Sequence, residues 1–408
     1  MLDRRDFLLG SGALAACAGA TPLAARGASP PRTKTFVLLF LRGGMDGLSL
    51  IVPHGDARYY DLRGWIAIPR PGAPGGAVEL DGFFGLHPAA APLQPLFADG
   101  AAAAVHAVGY ANNSRSHFKE QDVWETAVEA SSVRTDGWLN RHLQSSKGSG
   151  GVRAISIGDT LPRVLRGDAR ALALRGLDDL AGAAGSGALG VAHADDPEAD
   201  RSGLRSRLGR NARSTLDVLE ELRGVANAPY ASTVEYPETG LAQRLREIAR
   251  LVKADVGVEV CEVDFGGWDT HRNQGGAGGA FARLTEELAG ALTAFCRDLE
   301  QRLDDVLVLA VSEFGRTARQ NGTGGTDHGW GNCLLALGGP VRRRAGERAG
   351  PVLGRWPGLG RHELNQGRDL AHTTDFRDVF AEVARGHLGS ERLDLVLPGH
   401  AARSVGLV

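Results

Sequence analysis

The sequence predicts an α/β fold: a doubly wound, mostly parallel central sheet with helices on both faces. Three observations lead there. Continuous apolar runs recur along the chain without polar alternation, which suits strands covered on both faces. Stretches of helical periodicity separate several of them. Gly, Asp, His and Arg gather in the segments just after the runs, where open α/β sheets place their ligands.

The elements follow in order. Thr35–Leu41 (TFVLLFL) is the first run and ends in Arg42-Gly43-Gly44. Ala103–Val108, Val152–Ile157, Val256–Val263, Val306–Val311 and Asn332–Leu337 read the same way. Helical patterns cover His117–Glu129, after Ser116 in a capping position, then Leu241–Val252, Ala280–Leu303 and Asp375–Leu388. The Ala-, Gly- and Asp-rich stretch 181–206 reads as a surface insertion in a single domain spanning 29–408.

Residues 1–28 precede that domain. Arg4 and Arg5 stand before an uncharged stretch from Phe7 to Ala25, the pattern of a signal peptide, and the arginine pair resembles a twin-arginine signal. Export by the twin-arginine translocase, in a folded state, to the periplasm or beyond is the expectation. Leu14-Ala15-Ala16-Cys17 resembles a lipobox whose cysteine would carry a lipid anchor. Cleavage after Ala18-Gly19-Ala20 would discard Cys17 instead. Membrane association is expected only through such a signal or anchor.

The formal net charge of −2 points to neither nucleic acid nor an anionic membrane surface. Cys261, Cys296 and Cys333 are widely spaced, so they form no CxxC metal pattern and no disulfide framework.

The strand-end segments carry the chemistry. Asp46 sits in the glycine-flanked turn after the first run and can point a carboxylate into a crevice. Ser116 begins a helix, where it can cap or act as a nucleophile beside an anion held by the helix N-terminus, with Arg115 and His117 able to bind the same anion. The segment Asp264 to His271 offers Asp264, Asp269 and His271 in metal-ligand composition. Asp327 and His328 are adjacent in a glycine-rich loop, Glu313 can add an oxygen ligand, and Arg316 can clamp a phosphate or sulfate bidentately. Mixed Asp, Glu and His ligands suit Zn, Mn, Ca or Mg, and two such ions would clamp an in-line displacement at phosphorus or sulfur.

The segments FLRGGMDGLS, GLHPAAAPL, SRSHFKEQDVWE, GWLNRHL, GGWDTH, SEFGRT, GTGGTDHGWGN and TTDFRDVFAEV, with the twin-arginine start, resemble in order the bacterial family called domain of unknown function 1501. Members of that family resemble the alkaline phosphatase and sulfatase superfamily. The resemblance implies an alkaline phosphatase-like domain, two divalent ions and a small anionic ester substrate. It implies Asp46 as a first carboxylate ligand, Ser116 as nucleophile, Asp269 and His271 on one metal, and Asp327 and His328 as a pair serving two. His372 matches the last histidine ligand loosely. Two departures stand: Asp327-His328 come later than the superfamily pair, and Asp269 to His271 is a shorter spacing than usual, leaving Asp264 as the alternative ligand. A hydrolase of phosphate or sulfate esters is one implied activity; a non-catalytic exported metal-binding or assembly protein on the same fold is the other.

Overall fold

In the computed structural model, β1 (Thr35–Leu41) lies at the middle of the main sheet, with every residue buried. The structure describes residues 32–129, 134–148, 151–181, 217–344, 346 and 350–408. Arg4, Arg5, Cys17 and most of the 181–206 insertion therefore lie outside the described residues. Thr33–Val408 forms one compact unit.

The remaining strands are β2 (Ile51–Val52), β3 (Val78–Glu79), β4 (Gly85–Leu86), β5 (Ala102–Gly109), β6 (Ala154–Ile157), β7 (Leu172–Leu174), β8 (Val260–Phe265), β9 (Val306–Val311), β10 (Asn332–Gly338), β11 (Val352–Leu353) and β12 (Thr374–Asp375). The main sheet runs β11-β5-β10-β9-β1-β8-β6-β7, with β12 also on β5. β2, β4 and β3 form a small antiparallel sheet of their own.

The pairings β1–β8, β1–β9, β6–β8, β6–β7, β11–β5 and β12–β5 are parallel. β10 is antiparallel to both β9 and β5, so the sheet is mixed. That reversal matters for the site. A strand running backwards receives its incoming loop at the edge where its neighbours end, so the 312–331 segment lies along the carboxyl ends of β9 and β5.

The helices that frame the site are α1 (Gly47–Leu50), α2 (Ala57–Arg63), α3 (His117–Thr126), α4 (Trp138–Ser145), α5 (Gly240–Ala254), α6 (Ala280–Leu299) and α7 (Phe376–Glu382). β1 shows why its run is continuously apolar. Val37, Leu39 and Leu41 join a core with Leu245 and Ile248 of α5 and Leu288 and Leu292 of α6. Phe36, Leu38 and Phe40 point the other way, to Trp124 of α3, Trp138 of α4 and Phe380 of α7. Alternate residues thus feed two cores, as a sheet covered on both faces requires. Trp124 stacks on Phe376 with centroids 4.4 Å apart, and Trp138 on Phe380 at 4.6 Å. The three cysteines after Cys17 are buried free thiols. No helix among the described residues is long and apolar enough to cross a membrane.

Candidate metal centre

Five segments meet at one edge of the sheet: the turn after β1, the start of α3 after β5, the segment after β8, the end of β9, and the loop leading into β10. Gly43 is what lets the first of these close in. Its φ is 121°, and a Cβ there would lie 2.7 Å from the Asp269 backbone nitrogen. Gly325 does the same for the last: a Cβ would stand 2.4 Å from the His271 carbonyl.

At the centre are three imidazoles and a carboxylate. Ligand atoms of His117, Asp269 and His328 all lie within 4.8 Å of one another. His271 adjoins them, with Nε2 3.0 Å from His328 Nε2 and 2.9 Å from Asp269 Oδ1. The other ring nitrogen of each histidine fixes its tautomer. His117 Nδ1 is 2.8 Å from Glu313 Oε1, His271 Nδ1 is 3.0 Å from Asp327 Oδ1, and His328 Nδ1 is 2.9 Å from the Arg115 carbonyl. These partners are acceptors, so each Nδ1 donates its proton and each Nε2 presents a lone pair inward. Two such lone pairs 3.0 Å apart, beside a carboxylate, repel unless a cation lies between them. His117 Nε2 is buried, has no hydrogen-bond partner, and faces Asp269 Oδ2 at 3.5 Å. An orphaned nitrogen aimed at two imidazoles and a carboxylate fits a metal ion. Imidazole-rich donor sets suit Zn-like ions rather than Ca or Mg.

The outer partners are built as firmly. Glu313 is fully buried. Its Oε1 also accepts from Gln121 Nε2 and from the Gly43 N–H, both at 3.0 Å, and its Oε2 accepts from the Ser312 hydroxyl at 2.9 Å. Burial pushes this carboxyl up, but the His117 and Gln121 hydrogen bonds outweigh it and hold it below the usual range. The Glu313 hydrogen bond in turn raises His117, against burial. Burial lowers His328, which favours its neutral form. Burial also works to raise Asp269, and Arg316 overrides it and keeps the carboxylate ionised.

The structure gathers Asp269, His271 and His328 of the expected ligands, and moves the others outward. Glu313 and Asp327 are not in the central group; they orient His117 and His271. Asp46 faces elsewhere. It is wholly buried in a bidentate pair with Arg63 and also accepts from Ser49 Oγ at 2.7 Å and Gln274 Nε2 at 2.6 Å, so its oxygens are occupied. The alternative ligand Asp264 takes Arg42 Nε at 2.5 Å, and His372 accepts from Trp330 Nε1 at 3.1 Å. Among the described residues one group of three such side chains, His117, Asp269 and His328, could hold a metal ion.

The expected anion-binding arginines are engaged within the protein. Arg316, fully buried, donates to the carbonyls of Gly43, Gly44, Trp268 and Thr326 and to Asp269 Oδ1. It rivets the loops that carry the ligands. Arg115 donates twice to the buried carboxylate of Asp369, at 2.9 and 2.6 Å. Ser116 starts α3, yet its side chain makes no capping bond, and among the described residues its hydroxyl has no partner. It stands between Arg115, whose carbonyl holds His328, and His117, whose ring reaches Asp269. Sequence reasoning gave His117 an anion-binding role and did not place it among the candidate ligands with which the structure groups it; the imidazole in the SRSHF segment after β5 was the available signal.

The family model described as "Protein of unknown function (DUF1501)" matches residues 78–392. No curated protein matches the chain. Among solved structures it is similar to the C-terminal periplasmic domain of EcEptC from Escherichia coli, in complex with Zn, at 9% identity and TM-score 0.39, over 78% of this chain and 76% of that one. It is also similar to the phosphonate monoester hydrolase of Agrobacterium radiobacter, at 14% identity and TM-score 0.35, over 91% of this chain and 79% of that one.

Proposed function

We propose that this chain, which belongs to the DUF1501 family, is an exported metal-dependent hydrolase of phosphate or sulfate esters. The observation that carries the reading is the convergence of three imidazole lone pairs on Asp269, with His117 Nε2 buried and unpartnered. His117, Asp269 and His328 would hold the ion, with His271 at its margin. A Zn-like ion would supply Lewis-acid polarisation and charge neutralisation of the ester.

The chain's own groups divide the remaining work. Ser116 supplies the nucleophile. A bond forms from Oγ to phosphorus or sulfur, the bond to the alcohol oxygen breaks, and the serine proton ends on the alcohol. Water then attacks phosphorus or sulfur, the bond to Oγ breaks and Oγ regains a proton from that water, and inorganic phosphate or sulfate leaves. The N-terminus of α3 places free backbone N–H groups beside the charge that develops. Glu313 and Asp327 keep the His117 and His271 rings oriented. Arg316 keeps Asp269 ionised and in place.

A second reading, a metal-binding or assembly protein without turnover, is favoured by the engagement of Arg115 and Arg316 inside the protein. Export rests on the Arg4-Arg5 signal alone. The deciding experiment is metal analysis after chelator-free purification, followed by turnover of aryl phosphates and aryl sulfates by the wild type, His328→Ala and Ser116→Ala. Bound metal with turnover lost in both variants supports the hydrolase. Bound metal without turnover in any of the three moves the assignment to the second reading.

A further inference from the structure

Next to the metal centre is a cleft of about 600 Å³, a volume suited to a small ligand. Its lining includes Arg58, Arg319, Arg361 and Arg368 against two carboxylates, Asp61 and Asp327. Among the described residues, the guanidinium groups of Arg58, Arg319 and Arg361 have no hydrogen bond and no ion pair. Four arginines thus line one cleft against two carboxylates, and the excess leaves a positive potential that an anion would relieve. Guanidinium recognises phosphate, sulfonate and carboxylate through paired N–H groups.

The cleft touches the metal centre at two points. Asp327, on its wall, accepts from His271 Nδ1 at 3.0 Å, and the opposite nitrogen of that ring belongs to the central group. Arg368, also on the wall, donates from Nη2 to the His328 carbonyl at 3.0 Å. We infer that this cleft binds a second anionic group on the molecule whose ester lies at the metal centre, so that the substrate is at least doubly anionic. The inference rests on the hydrolase reading for the reacting end of the molecule; the recognition of the second anion does not.

The test separates the two. The full chain, freed of metal by chelator, is titrated calorimetrically at low salt with pyrophosphate, 1,3-benzenedisulfonate and isophthalate, and the same is done for the Arg319→Gln/Arg361→Gln double variant. Saturable binding to the wild type by at least one probe, weakened tenfold or more in the variant at unchanged melting temperature, supports the cleft. The probe with the largest ratio says whether phosphate, sulfonate or carboxylate is preferred. Equal binding by both proteins, or no saturable binding of any probe to the wild type, overturns it. If turnover exists, KM for a doubly anionic aryl ester rises at least tenfold in the double variant. Binding lost in the variant with no turnover by either protein keeps the cleft and retires the hydrolase.

Discussion

Glu313→Gln is the perturbation that separates an ion-holding centre from a merely polar one. Glu313 Oε1 accepts from His117 Nδ1 at 2.8 Å, and Oε2 from Ser312 Oγ at 2.9 Å and the Gly43 N–H at 3.3 Å. A glutamine cannot satisfy both sides. With its carbonyl in the Oε1 place it keeps His117, Gln121 and the Gly43 N–H, but its NH2 then faces the Ser312 hydroxyl that now donates, and the negative charge is lost. Flipped, it forces the His117 proton from Nδ1 to Nε2, the nitrogen that faces Asp269. Either way the charge that makes His117 a better ligand is gone. Loss of such an outer partner costs about 10–100-fold in metal affinity, or about 1.4–2.7 kcal/mol. The assay is competition for zinc against a chelator of known affinity, with the unfolding transition recorded alongside. Asp327→Asn should shift affinity less, because the Asp327 side chain is half exposed and water can replace it. A folded Glu313→Gln protein whose zinc affinity stays within about threefold of wild type would refute the reasoning, since changes in that range are within the noise of an interaction worth at least tenfold.

Three further outcomes are expected. Asp46→Asn, which strands the buried Arg63 charge, should destabilise the protein by about 3–5 kcal/mol in denaturant unfolding while leaving zinc stoichiometry unchanged; zinc loss would restore Asp46 to the ligand set. Burial works to raise the Asp298 carboxyl, but Lys253, Tyr230, the Thr233 N–H and Tyr236 hold it at about 2. A folded pKa below the unfolded value of about 3.9 stabilises the protein above pH ~4, and that contribution, about 2 kcal/mol, is lost as pH falls from about 4 toward 2. Asp298→Asn should therefore flatten that limb of the stability–pH curve, and an unchanged limb would show that other groups govern it. Lys-Lys in place of Arg4-Arg5 should leave the precursor in the cytoplasm by cell fractionation, and normal export would remove the twin-arginine assignment.

Much of the sheet was legible because a largely apolar run suits a strand with two covered faces. All six runs became strands, and the four helical patterns became helices. Their ends moved for local reasons. α3 stops at Thr126 because Ala127 turns left-handed at φ 53°, and α6 stops at Leu299 because Glu300 does so at φ 49°. β10's direction was not legible, since an apolar run reads the same both ways. The site divided along the same line. The strand-end rule pointed to Asp46, Asp269, His271, Glu313, Asp327 and His328, and the segments carrying the last five meet at one edge of the sheet. It could not rank them, because whether a carboxylate touches an ion or the back of an imidazole is a matter of one ring's width. Arg63, seventeen residues beyond Asp46, carries no motif to announce that it would take that carboxylate.

The ranking changes the chemistry. Read from sequence, the acids outnumber the imidazoles, and the set suits hard, oxygen-seeking ions in pairs. In the structure Glu313 and Asp327 spend their charge on the Nδ1–H groups of His117 and His271, and the Arg115 carbonyl does the same for His328. The carboxylates thereby turn three rings so that their basic nitrogens meet. A site acid-rich in sequence becomes nitrogen-rich at its centre, with one carboxylate, Asp269, kept ionised by a buried arginine. That inversion is the donor chemistry on which the proposed Zn-like ion rests. Arg316 is turned onto Asp269 and the carbonyls of the surrounding loops, so under the proposed reading the anion would be met by the arginines of the neighbouring cleft.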